Sequence, residues 1–202
     1  MPGHAIHDNI LITHEIMHKF KQSKGKTAWV ALKIDMEKAY DRLEWDFIEI
    51  CLQRFGFHTK WIQWIMECIR TVSYSTIVND EPMCLFCPTR GIRQGDPLSP
   101  YIFIMCMEVL STNMSNATKQ HRTGLGIKLS TGLERIPCLL FADDCLLFRR
   151  TDYTNCMKLK KILDDFRSQS GQLINYHKST LTFEKCYSYL ATIGSWDFQY
   201  YA

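Results

Sequence analysis

Residues Cys138 to Phe148 read Cys-Leu-Leu-Phe-Ala-Asp-Asp-Cys-Leu-Leu-Phe, with two adjacent acids, Asp143 and Asp144, between two apolar runs. Each run has the length of a buried strand, and a short acidic turn between two such strands is a β-hairpin pattern. Two carboxylates at the tip of a water-poor hairpin repel each other and lose hydration, which is costly unless a cation neutralises them. Their hard oxygens suit Mg²⁺. Alone, the pair fits a solvated Asp-Asp turn better than a metal site. Upstream, however, Trp29 to Met36 is another apolar strand and carries Asp35 near its end, so a third carboxylate is available from a separate strand.

Two other groups invite a metal reading. His14-Glu15-Ile16-Met17-His18 satisfies His-Glu-x-x-His on a helical segment, the zinc-peptidase spacing. Residue 21 is lysine, which ends the longer metzincin pattern, and the first acidic candidate for a third ligand is Glu37, so chance spacing on a polar helix face is the expectation. Cys84 and Cys87 form a Cys-x-x-Cys with no second pair at zinc-ribbon spacing, and zinc is not expected there.

Positioning these residues takes a recognisable set of elements. Ile12, Ile16 and Phe20 recur every four residues and predict a helix over Asp8–Phe20, capped by Asp8. Asp41 and Glu44 have capping-box spacing ahead of a helix that buries Leu43, Phe47, Ile50 and Phe55 and stops at Gly56. A second helix is expected over Thr59–Arg70, with Trp61, Ile65 and Cys68 inward, then a hairpin of Tyr74–Val78 and Met83–Cys87 turning at Asn79-Asp80. The segment Tyr101 to Leu110 is apolar nearly all round, as suits a helix packed under a sheet, and Pro97 and Pro100 set its start. A short strand near Ile127–Leu129, the acidic hairpin, a helix over Asn155–Gln169 ending at Gly171, and a last strand over Gln172–Phe183 complete the order. The fold class is α+β, a split βαβ layout with an antiparallel, ferredoxin-like sheet and helices on one face.

Between the two acidic strands lies Arg90-Gly91-Ile92-Arg93-Gln94-Gly95-Asp96-Pro97-Leu98-Ser99-Pro100, and after the hairpin comes Ser170-Gly171-Gln172-Leu173-Ile174-Asn175-Tyr176-His177-Lys178-Ser179. With Asp35 and its following Ala39-Tyr40-Asp41-Arg42, and with Phe141-Ala142-Asp143-Asp144, these segments stand in the order of one family. From about Gly3 to Thr182 the chain resembles the reverse transcriptases of non-LTR (LINE-type) retrotransposons, plant elements above all. The resemblance implies a right-hand polymerase palm with partial fingers over residues 1–185, leaving 186–202 as an unassigned aromatic tail. It implies RNA-directed DNA polymerase activity, in which two Mg²⁺ ions, or Mn²⁺ in their place, serve transfer of a nucleotide from dNTP to a primer 3′-hydroxyl on an RNA template. Asp35, Asp143 and Asp144 map onto the catalytic, metal-binding acids.

Tyr40 maps onto the aromatic that excludes a 2′-hydroxyl by clash, with a half-buried core tyrosine as the alternative. Gln94 and Gly95 map onto the nucleotide-contacting loop. Arg93 is open between a phosphate or template contact and a surface salt bridge, and Lys178 between protonating pyrophosphate and lying solvated at a strand end. Pro2-Gly3-His4 departs from a family Pro-Gly-Arg, replacing a fixed charge near the triphosphate with histidine. The family's thumb would follow residue 182 and most of its fingers precede Met1, so a catalytically silent retrotransposon remnant that at most binds nucleic acid is the alternative function.

Composition is compatible with this. The 202 residues are 46% hydrophobic, enough for a sizeable core, and the net charge of +3 permits a polyanionic partner without requiring one. Nine cysteines sit mostly in apolar segments with no signal peptide ahead, which favours a reducing intracellular setting, nuclear or cytoplasmic. No apolar run approaches the roughly 20 residues of a membrane span.

Overall fold

The computed structural model describes residues 6–22, 29–120, 125–141, 144–183 and 199–201. They form two compact units, one from Met1–Glu37, Leu110–Phe166 and Ile174–Ala202, the other from Lys38–Val109 and Arg167–Leu173.

The first unit is built on a sheet. Its central strand β1 (Trp29–Glu37) pairs antiparallel with β5 (Asp144–Arg150) on one side and β7 (Thr180–Phe183) on the other. β4 (Cys138–Phe141) pairs outside β5, β8 (Gln199–Tyr201) runs parallel outside β7, and the short β6 (Leu173–Ile174) also joins β1. Val30, Ile34 and the aromatic Trp29 favour extended backbone. Alternation along β1 then buries Val30, Leu32, Ile34 and Met36 on one face.

The opposite face of β1 is divided. Ala31, with Phe148 of β5 and Leu139 of β4, is buried in a cluster with Ile16 and Phe20 of α1 (Ile6–Gln22). Further along that face Lys33 is exposed and Asp35 half-buried. The four-residue stripe that predicts α1 is therefore the surface that packs on Ala31, Leu139 and Phe148. Each large side chain buried in this cluster contributes about 1.5–3 kcal/mol.

Two expectations in this unit are corrected. The last strand is not continuous over Gln172–Phe183: it breaks between β6 and β7, where the Lys178 N–H donates to both the backbone oxygen and Oδ1 of Asn175 at 3.2 Å. An Asn side chain that accepts from a backbone N–H further on makes a turn locally favourable. The strand near Ile127–Leu129 is only a bridge from Ile127 to Ile136. Gln199–Tyr201, in the tail that sequence leaves unassigned, is a strand.

The second unit contains α2 (Trp45–Arg54), α3 (Thr59–Arg70), the hairpin β2 (Ile77–Val78) and β3 (Glu81–Pro82), and the first half of α4 (Ser99–Gln120). α5 (Tyr153–Ser170) belongs mainly to the first unit, and its last residues to this one. Asn79 and Asp80 adopt φ of 53° and 64°, the paired left-handed conformation of a tight hairpin turn.

The capping-box expectation fails, because α2 starts at Trp45 with Glu44 as its extended N-cap, and Asp41 lies in the preceding turn. Lys38, at φ 49°, turns the chain out of β1, and the Glu44 N–H is taken by Ser170 O at 3.0 Å, which delays the helix. The buried stripe of α2 is accordingly Phe47, Ile48, Cys51 and Leu52, while Ile50 and Phe55 are exposed. In α3 it is Ile62, Ile65, Met66 and Ile69, with Cys68 exposed and Trp61 stacked on Phe57. α4 is less completely enclosed than its composition suggests, since Tyr101 and Ile104 face solvent beside the buried Ile102, Phe103 and Cys106.

Candidate functional site

The β1–β5 register sets Asp35 opposite Asp144. Opposed residues of an antiparallel ladder share a face, with Cα atoms about 4.5–5.5 Å apart. Two carboxylates, both half-buried, are thus held on one face of the sheet. Lys33, two residues before Asp35 and so on the same face, brings its Nζ to 2.8 Å from Asp144 Oδ2.

The Asp35 backbone is held on both of its polar groups. Its N–H donates to Ser179 Oγ at 3.1 Å, and its carbonyl accepts from the Asn175 N–H at 2.9 Å. Ser179 is fully buried, so the turn between β6 and β7 fixes the acid from the side opposite β5. Sequence reasoning singles out neither Asn175 nor Ser179, although both lie in a segment that carries the resemblance. Their signal is a pair of small polar residues flanking a turn. Cys145, next to Asp144, is fully buried, and burial, with the neighbouring Cys138 and Asp144 charges, pushes its thiol well up and keeps it protonated.

Opposed like charges destabilise a ladder unless a cation intervenes, and hard carboxylate oxygens suit a divalent ion. The donor set therefore fits the metal that the resemblance implies. Asp143 lies outside the described residues, as do Pro2, Gly3 and His4. Among the described residues, no three His, Cys, Asp or Glu side chains gather as a metal site, so these offer a carboxylate pair.

In the second unit, Tyr40 is half-buried and stacks on Phe103, ring centroids 5.0 Å apart at 14°. The turn that bears it is anchored twice. Ile92 N–H donates to Tyr40 O and Gly91 N–H to Leu43 O, while Trp45 Nε1 donates to Gly91 O. From the end of α5, the buried Gln172 donates through Nε2 to Ala39 O at 2.7 Å. Gly91 and Gly171 permit these approaches: a Cβ on either would lie 2.7 or 2.6 Å from a backbone oxygen of Asp41 or Arg42.

Gln94 is exposed and its Nε2 donates to Asp41 Oδ1 at 3.2 Å. Gly95 has φ +87° with open space around it. Arg93 lines a cleft of about 230 Å³ with Asp41, Arg90 and Asp96 over apolar Ile69 and Ile102. Arg90 makes the ion pair with Glu44, at 3.3 Å. Asp96 Oδ1 accepts from Leu98 N–H at 2.8 Å, a side-chain turn that leads into α4, with Pro100 in the first turn of that helix.

The remaining candidates fall elsewhere. Lys178 is exposed in the Asn175 turn of the first unit. His14, Glu15 and His18 are exposed on α1, and Cys84 and Cys87 are exposed after β3. Cys51, Cys106, Cys145 and Cys156 are buried free thiols. The hydrogen bond between Cys106 and Cys51 holds the first thiol up and the second down. No helix among the described residues is long and apolar enough to cross a membrane.

Comparison with known proteins bears on the family and the fold. An uncharacterized mitochondrial protein of Arabidopsis thaliana is 54% identical over 68 residues, 34% of this chain and 55% of that protein. The retrovirus-related Pol polyprotein of the type-1 retrotransposable element R2 from Popillia japonica is 27% identical over 180 residues, 88% of this chain and 24% of the polyprotein. A 149 kDa protein of transposon TX1 from Xenopus laevis is 24% identical over 186 residues, 89% of this chain and 13% of its own length. The chain thus spans little more than half of the first of these relatives and under a quarter of the other two.

Among solved structures, apo telomerase from Candida tropicalis superposes with a TM-score of 0.64 at 17% identity, over 91% of this chain and 36% of that one. Telomerase from the same organism in complex with a fragment of telomeric RNA gives 0.64 at 14% identity, over 88% and 29%. The fold is that of a reverse-transcriptase palm. Non-LTR retrotransposon proteins are relatives in sequence, and telomerases are neighbours in fold. Residues 1–193 match the family of reverse transcriptases (RNA-dependent DNA polymerases), and with the acids, loop and hairpin in that family's order the chain belongs to it.

Proposed function

We propose that this chain is the polymerase domain of a LINE-type retroelement and performs RNA-directed DNA synthesis by two-metal nucleotidyl transfer. The observation that carries the reading is the opposition of Asp35 and Asp144 across β1 and β5. Asp35 and Asp143 would be the principal ligands of two Mg²⁺ ions, with Asp144 completing the acidic set. When bound, divalent ions supply a lowered pKa at the primer 3′-hydroxyl and neutralisation of charge on the phosphates.

The protein's own groups serve binding and selection. Tyr40, backed by Phe103, presents a rigid ring suited to rejecting a 2′-hydroxyl. Gln94 and Gly95 offer a side-chain amide and open backbone to the nucleotide, Arg93 a guanidinium to phosphate or template, and Lys178 an exposed ammonium to the departing pyrophosphate. RNA template, DNA primer and dNTP are the partners this assigns. The neighbouring telomerase solved with telomeric RNA itself holds nucleic acid, which supports a partner of that kind here. A catalytically silent remnant is not favoured by these observations.

The test is Mg²⁺-dependent extension of a primed RNA template by the chain and by its Asp35→Asn, Asp143→Asn and Asp144→Asn variants. Loss of synthesis on the order of a hundredfold or more is expected in the Asp35 and Asp143 variants, the scale seen when a charge-stabilising group is removed from a reacting centre. Synthesis that survives in Asp35→Asn would overturn the assignment.

A further inference from the structure

Resting on the metal reading above, we infer that Lys33 is a positioning residue of the acidic pair, a built-in counter-cation that holds Asp144 and competes with a divalent ion for it. Three observations converge. Asp35 and Asp144 stand opposite each other, so their charges repel along the ladder. Lys33 lies diagonal to Asp144, two residues from Asp35, and its ammonium is 2.8 Å from Oδ2. The side chains of Lys33 and Asp144 are 47% and 33% exposed, so neither the lysine nor the acid is locked into the core and the contact can be exchanged.

Alternation explains why a lysine is there. β1 is otherwise apolar from Trp29 to Ile34, and Lys33 interrupts the run on the face that Asp35 shares. Its position serves no burial. Its ammonium compensates one of two carboxylates while the pair holds no other cation, so both acids keep their positions without metal. A divalent ion that takes an oxygen of Asp144 must displace this ammonium or bind beside a like charge. Lys33 therefore weakens the binding of free metal while keeping the carboxylates arranged.

The test is titration of the intact chain with Mn²⁺, followed by the loss of the free-ion paramagnetic resonance signal, for the unaltered protein and for Lys33→Met, Lys33→Arg and Asp144→Asn. Lys33→Met keeps the length of the side chain and removes its charge. It should tighten Mn²⁺ binding by roughly 1.5- to fivefold, the range that an exposed ion pair supports. Lys33→Arg, which keeps the charge, should bind as the unaltered chain does, and circular dichroism should show every variant folded.

Unchanged or weaker binding in Lys33→Met overturns the inference, and so does equal tightening in Lys33→Arg, because charge would then not be the cause. If Asp144→Asn weakens binding while Lys33→Met leaves it unchanged, only the role of Lys33 falls. If the unaltered chain binds no Mn²⁺, the metal reading fails and this inference with it.

Discussion

Ser179 illustrates how much one hydroxyl can do for a carboxylate it never touches. Its Oγ accepts from the Asp35 N–H, and Ser179 is itself fully buried, so Ser179→Ala leaves that donor unpaired. Such a loss costs about 1–3 kcal/mol, and urea denaturation should show the unfolding free energy lowered by that amount, through a lower midpoint with no change of slope. Tyr40 tests the site in another way. Tyr40→Ala removes a stacked ring, and if that ring is the proposed steric gate, incorporation of ribonucleotides relative to deoxyribonucleotides should rise. If selectivity is unchanged in an active preparation, Tyr40 is a packing residue of the second unit.

At the scale of elements, the loop before α4 shows why two glycines of one loop are not equivalent. Both Gly91 and Gly95 have positive φ, but a Cβ on Gly91 would lie 2.7 Å from Asp41 O, whereas one on Gly95 meets open space. Gly95→Ala should cost only backbone strain, on the order of 1 kcal/mol. Gly91→Ala adds a collision with main chain that cannot swing aside, and it should cost clearly more and weaken the anchoring of the Tyr40 turn. Thermal melts of the two variants side by side check the order. In the first unit, the β4–β5–α1 cluster turns on Phe148, which is fully buried against Ile16, Phe20 and Leu139. Phe148→Ala should cost about 3–5 kcal/mol, read by chemical denaturation.

For the molecule as a whole, charge sets the expectation. A net +3 is modest for the duplex binding proposed above. With about three phosphate contacts, affinity for an RNA–DNA duplex should fall roughly fortyfold between 50 and 200 mM salt. Fluorescence anisotropy with a labelled duplex measures it, and a much steeper fall would reveal a larger basic surface than the composition suggests.

The acidic strands, the glycine and proline loop, and the helical segments can be read from the chain because each depends on local periodicity or on residues close in sequence. Asp35, Asp144 and the hairpin are legible for that reason, and α3 is placed to the residue. Tertiary packing decided the rest. That Asp35 faces Asp144 is a matter of register between strands far apart in sequence, and the clasp of Asn175 and Ser179 on Asp35 exists only once β6 and β7 have broken around their turn. The start of α2 moved because Ser170, distant along the chain, captures the Glu44 N–H. Ile50 and Phe55 lie exposed because the direction of an apolar side chain depends on where its helix begins and on what packs against it. Sequence specifies which groups are available and their local geometry; the pairing of distant backbone donors and acceptors settles which of them meet.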